Sequence, residues 1–280
     1  MTVFTSRIAR TLAVASLALG LVALSGCAST APTGSSPDGL KTVTAGKLTI
    51  ATGQPAYSPW VIDNKPQTGE GFEAAVAYAV ASKLGFAKKN VVWTRTTFDS
   101  AIAPGPKNFD LNLQQYTITS KRKQAVDFSS PYYQTTEALV SIKGDAADSA
   151  KTLTALKKIK IGVAAGTTSY TIVVKDVGVQ PQVFNSNDDA VLALKSGQVD
   201  AIAVDLPTAF YLADSELKHG EILGQFAEST GGDQFGIVLA KGSSLTAKVS
   251  AAVNAIRKDG ELAAITKKWL STSVNVPVFK

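Results

Sequence analysis

Short apolar segments that each run into a polar turn constrain the fold of this chain more than any other feature. Lys47–Thr52, Val91–Thr94 and Lys160–Ala164 have the length and composition of buried strands, and Gly71–Leu84 has the Ala, Val and Tyr spacing of a helix that Gly85 ends. Strands that alternate with helices predict an α/β fold with a mostly parallel sheet. Ligands of such sheets bind at the carboxyl ends of the strands, so the polar turns are candidate sites.

The turn after the first strand, Gly53–Trp60, places two aromatic residues among prolines. Tyr57 and Trp60 can pack into the core, or they can wall an apolar pocket at the end of the strand. Gln54 in the same turn adds a neutral amide. Residue type alone leaves both interpretations of the aromatic pair open.

Two turns in the second half of the chain carry polar groups at the ends of strands. Gly166, Thr167 and Thr168 can form a carboxylate seat from backbone N–H groups and a hydroxyl, or they can simply cap a helix. Asp205 follows the apolar strand Asp200–Val204 and precedes Leu-Pro. It can cap the next helix, or it can serve as the counter-ion of an ammonium group.

Arg122 lies in the basic run Lys121–Lys123, after a β-like segment at Phe109–Leu113 and a turn rich in amide and hydroxyl side chains. Its guanidinium can pair with both oxygens of a carboxylate, and the hydroxyls of Thr117, Thr119 and Ser120 can add neutral hydrogen bonds. Gln115, at the start of the same stretch, is a further candidate ligand-binding residue. The alternative is that the basic run is a solvated charged face.

The segment Thr117–Tyr133, with the sequence TITSKRKQAVDFSSPYY, resembles a segment of the bacterial extracellular solute-binding proteins that serve polar amino acid ABC importers. In that family the arginine after the Thr-Ile-Thr step holds the α-carboxylate of the bound amino acid. The resemblance therefore gives this role to Arg122, and it extends over roughly Gly46 to Leu270.

The same resemblance implies roles for the turns at the strand ends. The Gly166–Thr168 step would touch the ligand carboxylate, Asp205 would hold the α-amino group, and Tyr57 would stack against the ligand. Trp60 would enclose the apolar part of the ligand together with Tyr57. Binders of cationic amino acids often carry an acidic residue at the position of Gln54, so this glutamine argues against a strongly cationic ligand.

The family has the periplasmic-binding-protein-like fold of type II, in which two lobes are joined by a hinge of two crossings. We expect residues 47–134 and 234–280 in the first lobe and residues 135–233 in the second. Glu137–Ile142 and Gln234–Ala240 are the expected crossing strands. A ligand that contacts both lobes would favour their closed state.

Two segments bear on how far the resemblance reaches. Ala74 and Ala75 depart from the family signature at the start of the first helix, where Glu73 is expected to have a structural role near the positive end of the helix dipole. Ala101–Asp110 contains two prolines where the family has a helix and a glycine turn, so the identity of the ligand stays open.

Residues 1–27 have the features of a lipoprotein signal peptide, because two arginines precede an apolar run that is short for a membrane span and a lipobox-like Leu-Ser-Gly-Cys ends it. Cys27 is expected to carry lipid chains such as palmitate, which would hold the protein at the outer face of the cytoplasmic membrane or in the periplasm. The small polar residues 28–46 predict a flexible tether.

Composition limits the other classes of function. Without Arg7 and Arg10 of the signal peptide, 26 basic residues face 22 acidic ones, which is a net charge of +4. This mild charge, with no concentrated basic and aromatic patch, argues against nucleic-acid binding. With one His and one Cys in the chain, we expect no His/Cys metal site and no cofactor.

The expected protein is a monomer that captures an amino acid or a similar small zwitterion and delivers it to a membrane permease. One alternative is a lyase-type enzyme on the same fold, although the sequence shows no Ser/His/Asp set and no distinct pair of acid and base carboxylates. A second alternative is a ligand-sensing lipoprotein, which would share every site residue with a transport protein.

Overall fold

Two five-stranded sheets organise the chain, and each sheet has its own hydrophobic core. They are described by a computed structural model that covers residues 39–227, 232–270 and 275–280. Across these ranges every helix falls short of the length and apolar content that a membrane span requires. The predicted signal peptide, Cys27 and residues 28–38 of the predicted tether lie outside the described residues.

In chain order, the strands of the described residues are β1 Leu48–Gly53, β2 Val91–Thr96, β3 Leu111–Asn112, β4 Val126–Phe128, β5 Tyr133–Thr135, β6 Glu137–Ile142, β7 Ile161–Ala164, β8 Gln182–Phe184, β9 Ala201–Asp205, β10 Gly220–Gln225, β11 Asp233–Phe235 and β12 Val238–Ala240. The helices are α1 Phe72–Lys83, α2 Phe98–Ile102, α3 Leu153–Leu156, α4 Thr168–Ile172, α5 Asn187–Lys195, α6 Leu206–Tyr211, α7 Thr246–Lys258 and α8 Glu261–Trp269.

The first sheet has the strand order β2-β1-β3-β12-β4 and forms the first lobe with α1, α2, α7 and α8. Strand β1 pairs in parallel with β2 and β3, whereas β12 runs antiparallel to β3 and β4. The parallel pairing brings the carboxyl ends of β1 and β3 to one edge of the sheet. The Gly53–Trp60 turn and the segment that leads to Arg122 therefore start side by side.

Helix α1 holds the Gly53–Trp60 turn against the first lobe. The Glu73 N–H at its start donates to the Trp60 carbonyl oxygen at 3.0 Å. Gly71 has a φ of 103°, and a Cβ on this residue would lie 2.5 Å from the same carbonyl oxygen. A glycine is required here, because only glycine permits both the backbone conformation and the close approach.

The second sheet has the strand order β10-β6-β9-β7-β8 and forms the second lobe with α3 to α6. Strand β7 pairs in parallel with β8 and β9, and β6 runs antiparallel to β9 and β10. The carboxyl ends of β7 and β9 lie at one edge, where β7 leads into Gly166–Thr168 and β9 ends at Asp205. The structure confirms the predicted α/β fold with two lobes.

The chain passes between the lobes through the short antiparallel strands β5 and β11. The segment Glu137–Ile142 was expected to be a crossing strand, but it is β6 and lies inside the second sheet. Its first five residues are buried, which suits the interior of a sheet better than a hinge. The expected return crossing, Gln234–Ala240, is divided between β11 in the hinge and β12 in the first sheet.

The folded part begins earlier than the sequence indicates. Leu40 packs in the core of the first lobe, and the Val43 N–H donates to Asp110 Oδ1 at 2.8 Å. The predicted tether of residues 28–46 therefore ends in a segment that contacts the first lobe through specific side-chain interactions.

The last residues of the chain also differ from the expected boundaries, because Val276–Lys280 pack on the second lobe. The Gln225 N–H donates to the Pro277 carbonyl oxygen at 2.8 Å. Phe279 is buried, with its ring centroid 5.3 Å from that of Phe226. Since α8 packs in the first lobe, the chain passes between the lobes once more after this helix.

Candidate functional site

A cavity of about 110 Å³ lies between the lobes, at the ends of β1, β7 and β9. The sequence-predicted residues that line it are Gln54, Tyr57, Trp60, Gln115, Arg122, Thr167, Thr168 and Asp205. Thr117 and Gly166 do not line this cavity, and they contact Arg122 from behind through their carbonyl oxygens. The structure thus brings eight predicted positions from four separate stretches of the chain to one cleft.

Arg122 is buried where the two lobes meet, with 8% of its surface exposed, whereas its two lysine neighbours are exposed. Nη1 donates to the Thr117 carbonyl oxygen and Nη2 donates to the Gly166 carbonyl oxygen, each at 2.8 Å. The guanidinium carbon lies 5.2 Å from the centre of the Phe98 ring. Arg122 is therefore set apart from the solvated basic run and binds both lobes at once.

Asp205 lies on the opposite wall, at the N-cap position of α6, where its side chain accepts no capping hydrogen bond. Carboxylate oxygens of Asp205, Glu137 and Asp233 lie within 4.8 Å of one another. Burial raises the pKa of Asp205 well above its ordinary value, and the neighbouring charges of Glu137 and Asp233 raise it further. Three carboxylates at this spacing attract a cation, which can be an ammonium group or a hard metal ion.

Hydroxyl groups from both lobes meet beside these carboxylates. Thr117 Oγ1 and Thr168 Oγ1 are 3.3 Å apart. Thr117 Oγ1 donates to Asp233 Oδ2 at 2.7 Å, and Thr168 Oγ1 donates to the same oxygen. Thr167 occupies the N-cap of α4, but its hydroxyl donates to the Ala164 carbonyl oxygen at 2.7 Å and does not cap the helix.

Trp60 belongs mainly to the core of the first lobe, since its side chain is 1% exposed. It packs edge-on against Phe72, Tyr133 and Phe235, with ring centroids between 5.7 and 5.9 Å apart. Its indole N–H reaches across to the second lobe and donates to Thr208 Oγ1 at 2.9 Å. The core interpretation of Trp60 therefore applies, and the residue also joins the lobes at the cavity wall.

Tyr57 stands in the cleft, and its hydroxyl oxygen accepts a hydrogen bond of 3.4 Å from the Asp188 N–H of the second lobe. Burial and the negative charge of Asp188 raise the pKa of Tyr57 to about 12, so the phenol is neutral at physiological pH. Gln54, Asn185 and Asn187 line the same cavity. They add neutral amides to the phenol of Tyr57.

Gln115 is held in a left-handed backbone conformation, with a φ of 51°. Its backbone N–H donates to Glu73 Oε1 at 2.7 Å, and its side-chain amide donates to the other carboxylate oxygen. Glu73 also accepts a hydrogen bond from the Tyr132 hydroxyl. Burial raises the pKa of Glu73 to about 7, although the bonds from Tyr132 and Gln115 act in the opposite direction. Glu73 thus orients Gln115 through hydrogen bonds, in addition to the dipole interaction expected from its place in the helix.

Sequence reasoning missed Glu137, Asp233, Phe98 and Thr208. None of these residues lies in the polar turns that served as the signal for a site. Glu137 is an acid at the start of a buried strand, and that contrast could have drawn attention to it. Asp233 lies far from Thr117 and Thr168 in sequence, and a single chain gives no sign that they meet.

Known proteins share this arrangement of lobes. Residues 48–272 match the bacterial extracellular solute-binding proteins, family 3. The chain is 31% identical over 211 residues to the ABC transporter glutamine-binding protein GlnH of Bacillus subtilis strain 168. These residues cover 73% of this chain and 75% of GlnH.

Two solved structures are similar over most of their length. An ancestral arginine-binding protein bound to arginine is 34% identical, with a TM-score of 0.68 over 81% of this chain and 99% of that one. The ancestral amino acid-binding protein AncCDT-1, a precursor of cyclohexadienyl dehydratase, is 28% identical, with a TM-score of 0.67 over 81% of this chain and 96% of that one. The family match and the shared fold confirm the resemblance seen in the sequence, and the chain belongs to family 3 of the bacterial extracellular solute-binding proteins.

Proposed function

We propose that the chain captures a polar amino acid between its lobes and delivers it to an ABC permease. The observation that carries this proposal is that Arg122 and Asp205, which come from different lobes, line one cavity. A zwitterion removed from water needs a partner for each of its charges, and these two side chains supply both. The names of the relatives, which bind glutamine or arginine, support an amino acid as the ligand.

Arg122 keeps donors for a ligand carboxylate. A guanidinium has five N–H groups, and the carbonyl oxygens of Thr117 and Gly166 take one from each terminal nitrogen. The remaining N–H groups can form charge-assisted bonds to a carboxylate in the cavity. The contact to Gly166 also means that this cation is fully positioned only when the lobes are together.

The ammonium group of the ligand would bind Asp205, with Glu137 beside it. Glu137 already accepts a hydrogen bond from Ser169 Oγ at 2.8 Å, which orients its carboxylate, and its other oxygen lies 3.2 Å from Thr168 Oγ1. Since the pKa of Asp205 is raised, a bound cation would relieve the repulsion among the neighbouring carboxylates. This electrostatic gain favours a ligand that brings a positive charge to this wall.

The side chain of the ligand would contact Tyr57, Phe98 and Gln54, which all line the cavity. Aromatic rings bury the methylene groups of a side chain, and an amide can pair with a polar terminus as donor or acceptor. Gln54 carries no charge, so we propose a polar side chain without a requirement for a full positive charge.

Ligand binding and lobe closure would be linked, because the site residues also join the lobes. Arg122 bonds to Gly166, Trp60 bonds to Thr208, and Tyr57 accepts from Asp188. A ligand that contacts both lobes stabilises the arrangement in which these bonds exist. The closed form is then the species that we expect to dock on the permease.

A thermal-shift screen across the amino acids tests the proposed function. A ligand at 100 times its dissociation constant stabilises a protein by about 2.7 kcal/mol, so a true ligand raises the melting temperature clearly. We expect at least one polar amino acid to do so, and calorimetry then gives the affinity. A screen in which no amino acid shifts the melting temperature contradicts the proposal.

We further propose that lipid chains on Cys27 anchor the protein at the membrane. The lipobox-like sequence before this cysteine supports the proposal. The Cys27→Ala variant should be released into the medium, and its retention in the membrane fraction would contradict the anchor. Affinity capture from membranes would separate a transport role, in which an ABC permease is recovered, from a sensing role, in which a membrane kinase is recovered.

A lyase-type enzyme is the second candidate function. The cluster of Glu137, Asp205 and Asp233 includes a carboxyl group with a raised pKa, which is a property of general acids. The relation to a precursor of cyclohexadienyl dehydratase is the specific reason to consider it. Mass spectrometry of each ligand after incubation with the purified protein decides the question, since a binding protein returns the ligand unchanged.

A further inference from the structure

Asp233 lies on the hinge strand β11, behind the cavity that the two lobes enclose. The backbone fixes its position, because the Ile118 N–H donates to the Gln234 carbonyl oxygen at 2.8 Å and Asp233 pairs with Thr135 across the hinge. The side chain of Asp233 consequently stands where the hinge, the first lobe and the second lobe meet.

The carboxylate of Asp233 accepts hydrogen bonds from two hydroxyls, and one of them, that of Thr168, lines the cavity and could otherwise serve a ligand carboxylate. Thr117 Oγ1 donates to Asp233 Oδ2 at 2.7 Å, and Thr168 Oγ1 donates to the same oxygen. A threonine hydroxyl has a single proton, and Glu137 Oε1, 3.2 Å from Thr168 Oγ1, is another acceptor within its reach. While the proton of Thr168 is held by Asp233, it is not donated to a ligand carboxylate.

Asp233 is also the same chemical group as the α-carboxylate of an amino acid. Its negative charge acts on Arg122, and its oxygens lie within 4.8 Å of those of Asp205 and Glu137. A ligand carboxylate that approaches Arg122 therefore meets a fixed negative charge nearby. The amino group of the same ligand experiences this charge as an attraction.

We propose that Asp233 determines ligand selectivity by competing with the carboxylate of the ligand for the hydroxyl of Thr168 and by placing a negative charge beside Arg122. The inference rests on the proposed function, since it concerns the carboxylate end of the same site. Asp233 lowers the affinity for ligands that bring a carboxylate, and it does not lower the affinity for amines that lack one. The protein therefore prefers an amino acid over its decarboxylated amine by a smaller ratio of affinities than it would if Arg122 acted without Asp233.

The test compares an amino acid with its own amine, because the two share a side chain and an amino group. The probe pairs are L-arginine with agmatine and L-glutamine with 4-aminobutanamide, and an amino acid found by the thermal-shift screen is paired with its amine in the same way. Calorimetry gives the ratio of the two dissociation constants for the wild type and for Asp233→Asn. We expect the ratio to move about tenfold toward the amino acid, since one fixed negative charge is removed.

Asp127→Asn is the matched control. Asp127 accepts hydrogen bonds from the Gly242 N–H at 2.9 Å and from the Thr246 hydroxyl at 3.2 Å, and it does not line the cavity. Its substitution should leave the ratio unchanged. Asp233→Ala is the second variant, because it removes the acceptor as well as the charge and should move the ratio in the same direction.

The outcomes separate the inference from the proposed function. If Asp233 only holds the lobes together, Asp233→Asn and Asp233→Ala weaken binding of the amino acid and of the amine by the same factor. The ratio of the two dissociation constants then stays unchanged, which overturns the inference. The proposed function survives that result if the wild type binds an amino acid. If neither the wild type nor the Asp233 variants bind any amino acid, both proposals are wrong.

Discussion

The two lobes share one architecture but contribute opposite charges to the cavity between them. The first lobe supplies the guanidinium of Arg122 and the rings of Tyr57 and Phe98, whereas the second lobe supplies the carboxylates of Glu137 and Asp205. Neither set of groups can satisfy both ends of a zwitterion. The difference shows that the complete site exists only when the lobes meet, which makes affinity and closure two aspects of one equilibrium.

Removal of the cation of the first lobe should have the largest effect on binding. Arg122→Ala leaves a buried ligand carboxylate without its partner, which costs about 2–5 kcal/mol, or about 30-fold or more in affinity. Calorimetry with the amino acid identified by the screen measures the loss. Lys121→Ala changes an exposed neighbour of the same charge and is the matched control. If Arg122→Ala and the wild type bind the ligand with equal affinity, Arg122 does not bind the ligand carboxylate, and the charge contrast between the lobes does not explain binding.

Glu73 is a buried carboxyl group of the first lobe, and its titration tests how burial of this group affects the stability of that lobe. Its pKa is raised from 4.5 to about 7, so between these pH values the folded protein retains a proton that the unfolded chain has released. The free energy of unfolding should fall by up to about 3 kcal/mol as the pH rises through this range. Urea unfolding at several pH values should show this decline in the wild type and a smaller decline in Glu73→Gln, because Asp205 also has a raised pKa.

A matched substitution sharpens the Glu73 experiment. Glu221 is a partly exposed glutamate of the second lobe, 3.5 Å from Lys151. Glu221→Gln should retain the decline in stability between pH 4.5 and 7. If Glu73→Gln retains it as well, the pH dependence belongs to another group.

The carboxylate of the second lobe should have a slightly smaller effect on binding than Arg122. Asp205→Asn keeps the shape of the side chain but loses the charge, which costs about 1.5–3 kcal/mol for a hydrogen bond to an ammonium group. Because the pKa of Asp205 is raised, the affinity of the wild type should fall on acidification at a pH above the ordinary range of aspartate. Titration of the affinity against pH should show a weaker dependence in Asp205→Asn, and identical profiles would exclude Asp205 as the counter-ion.

The smallest expected effect concerns the hydrogen bond between the lobes from Trp60 to Thr208. Thr208→Val removes the acceptor of the Trp60 indole N–H, and such a bond contributes about 1 kcal/mol. Ligand affinity should fall about fivefold, because the bond forms only when the lobes meet. Thr266→Val, which removes a hydroxyl bond within α8, is the control. If Thr208→Val binds the ligand as tightly as the wild type does, the Trp60–Thr208 hydrogen bond does not contribute to closure of the lobes.

Local patterns predicted the elements and several positions of the site, but not the contacts between distant segments. Arg122 and Asp205 could be placed in one cleft because the resemblance to the solute-binding proteins implies a ligand-binding role for each. They follow strands of different sheets, so the strand pattern alone left a solvated face for Arg122 and a helix cap for Asp205 open. Asp233 could not be placed, since its partners lie 116 and 65 residues away in the chain. The core position of Trp60 was one of the two interpretations that the sequence allowed. Its bond to Thr208 could not be predicted, because that bond depends on the approach of the second lobe.

The C-terminal residues fix the choice of tag for every experiment above. The Lys280 carbonyl oxygen accepts the Leu153 N–H at 3.0 Å, and the Gln225 side chain bonds at the same time to the Val276 carbonyl oxygen and to Thr136, next to the hinge. A Cβ on Gly224 would lie 2.7 Å from the Phe279 ring, so this end of the chain is seated without spare room. An affinity tag or fluorophore joined to the carboxyl end would therefore lie against the second lobe and close to the hinge.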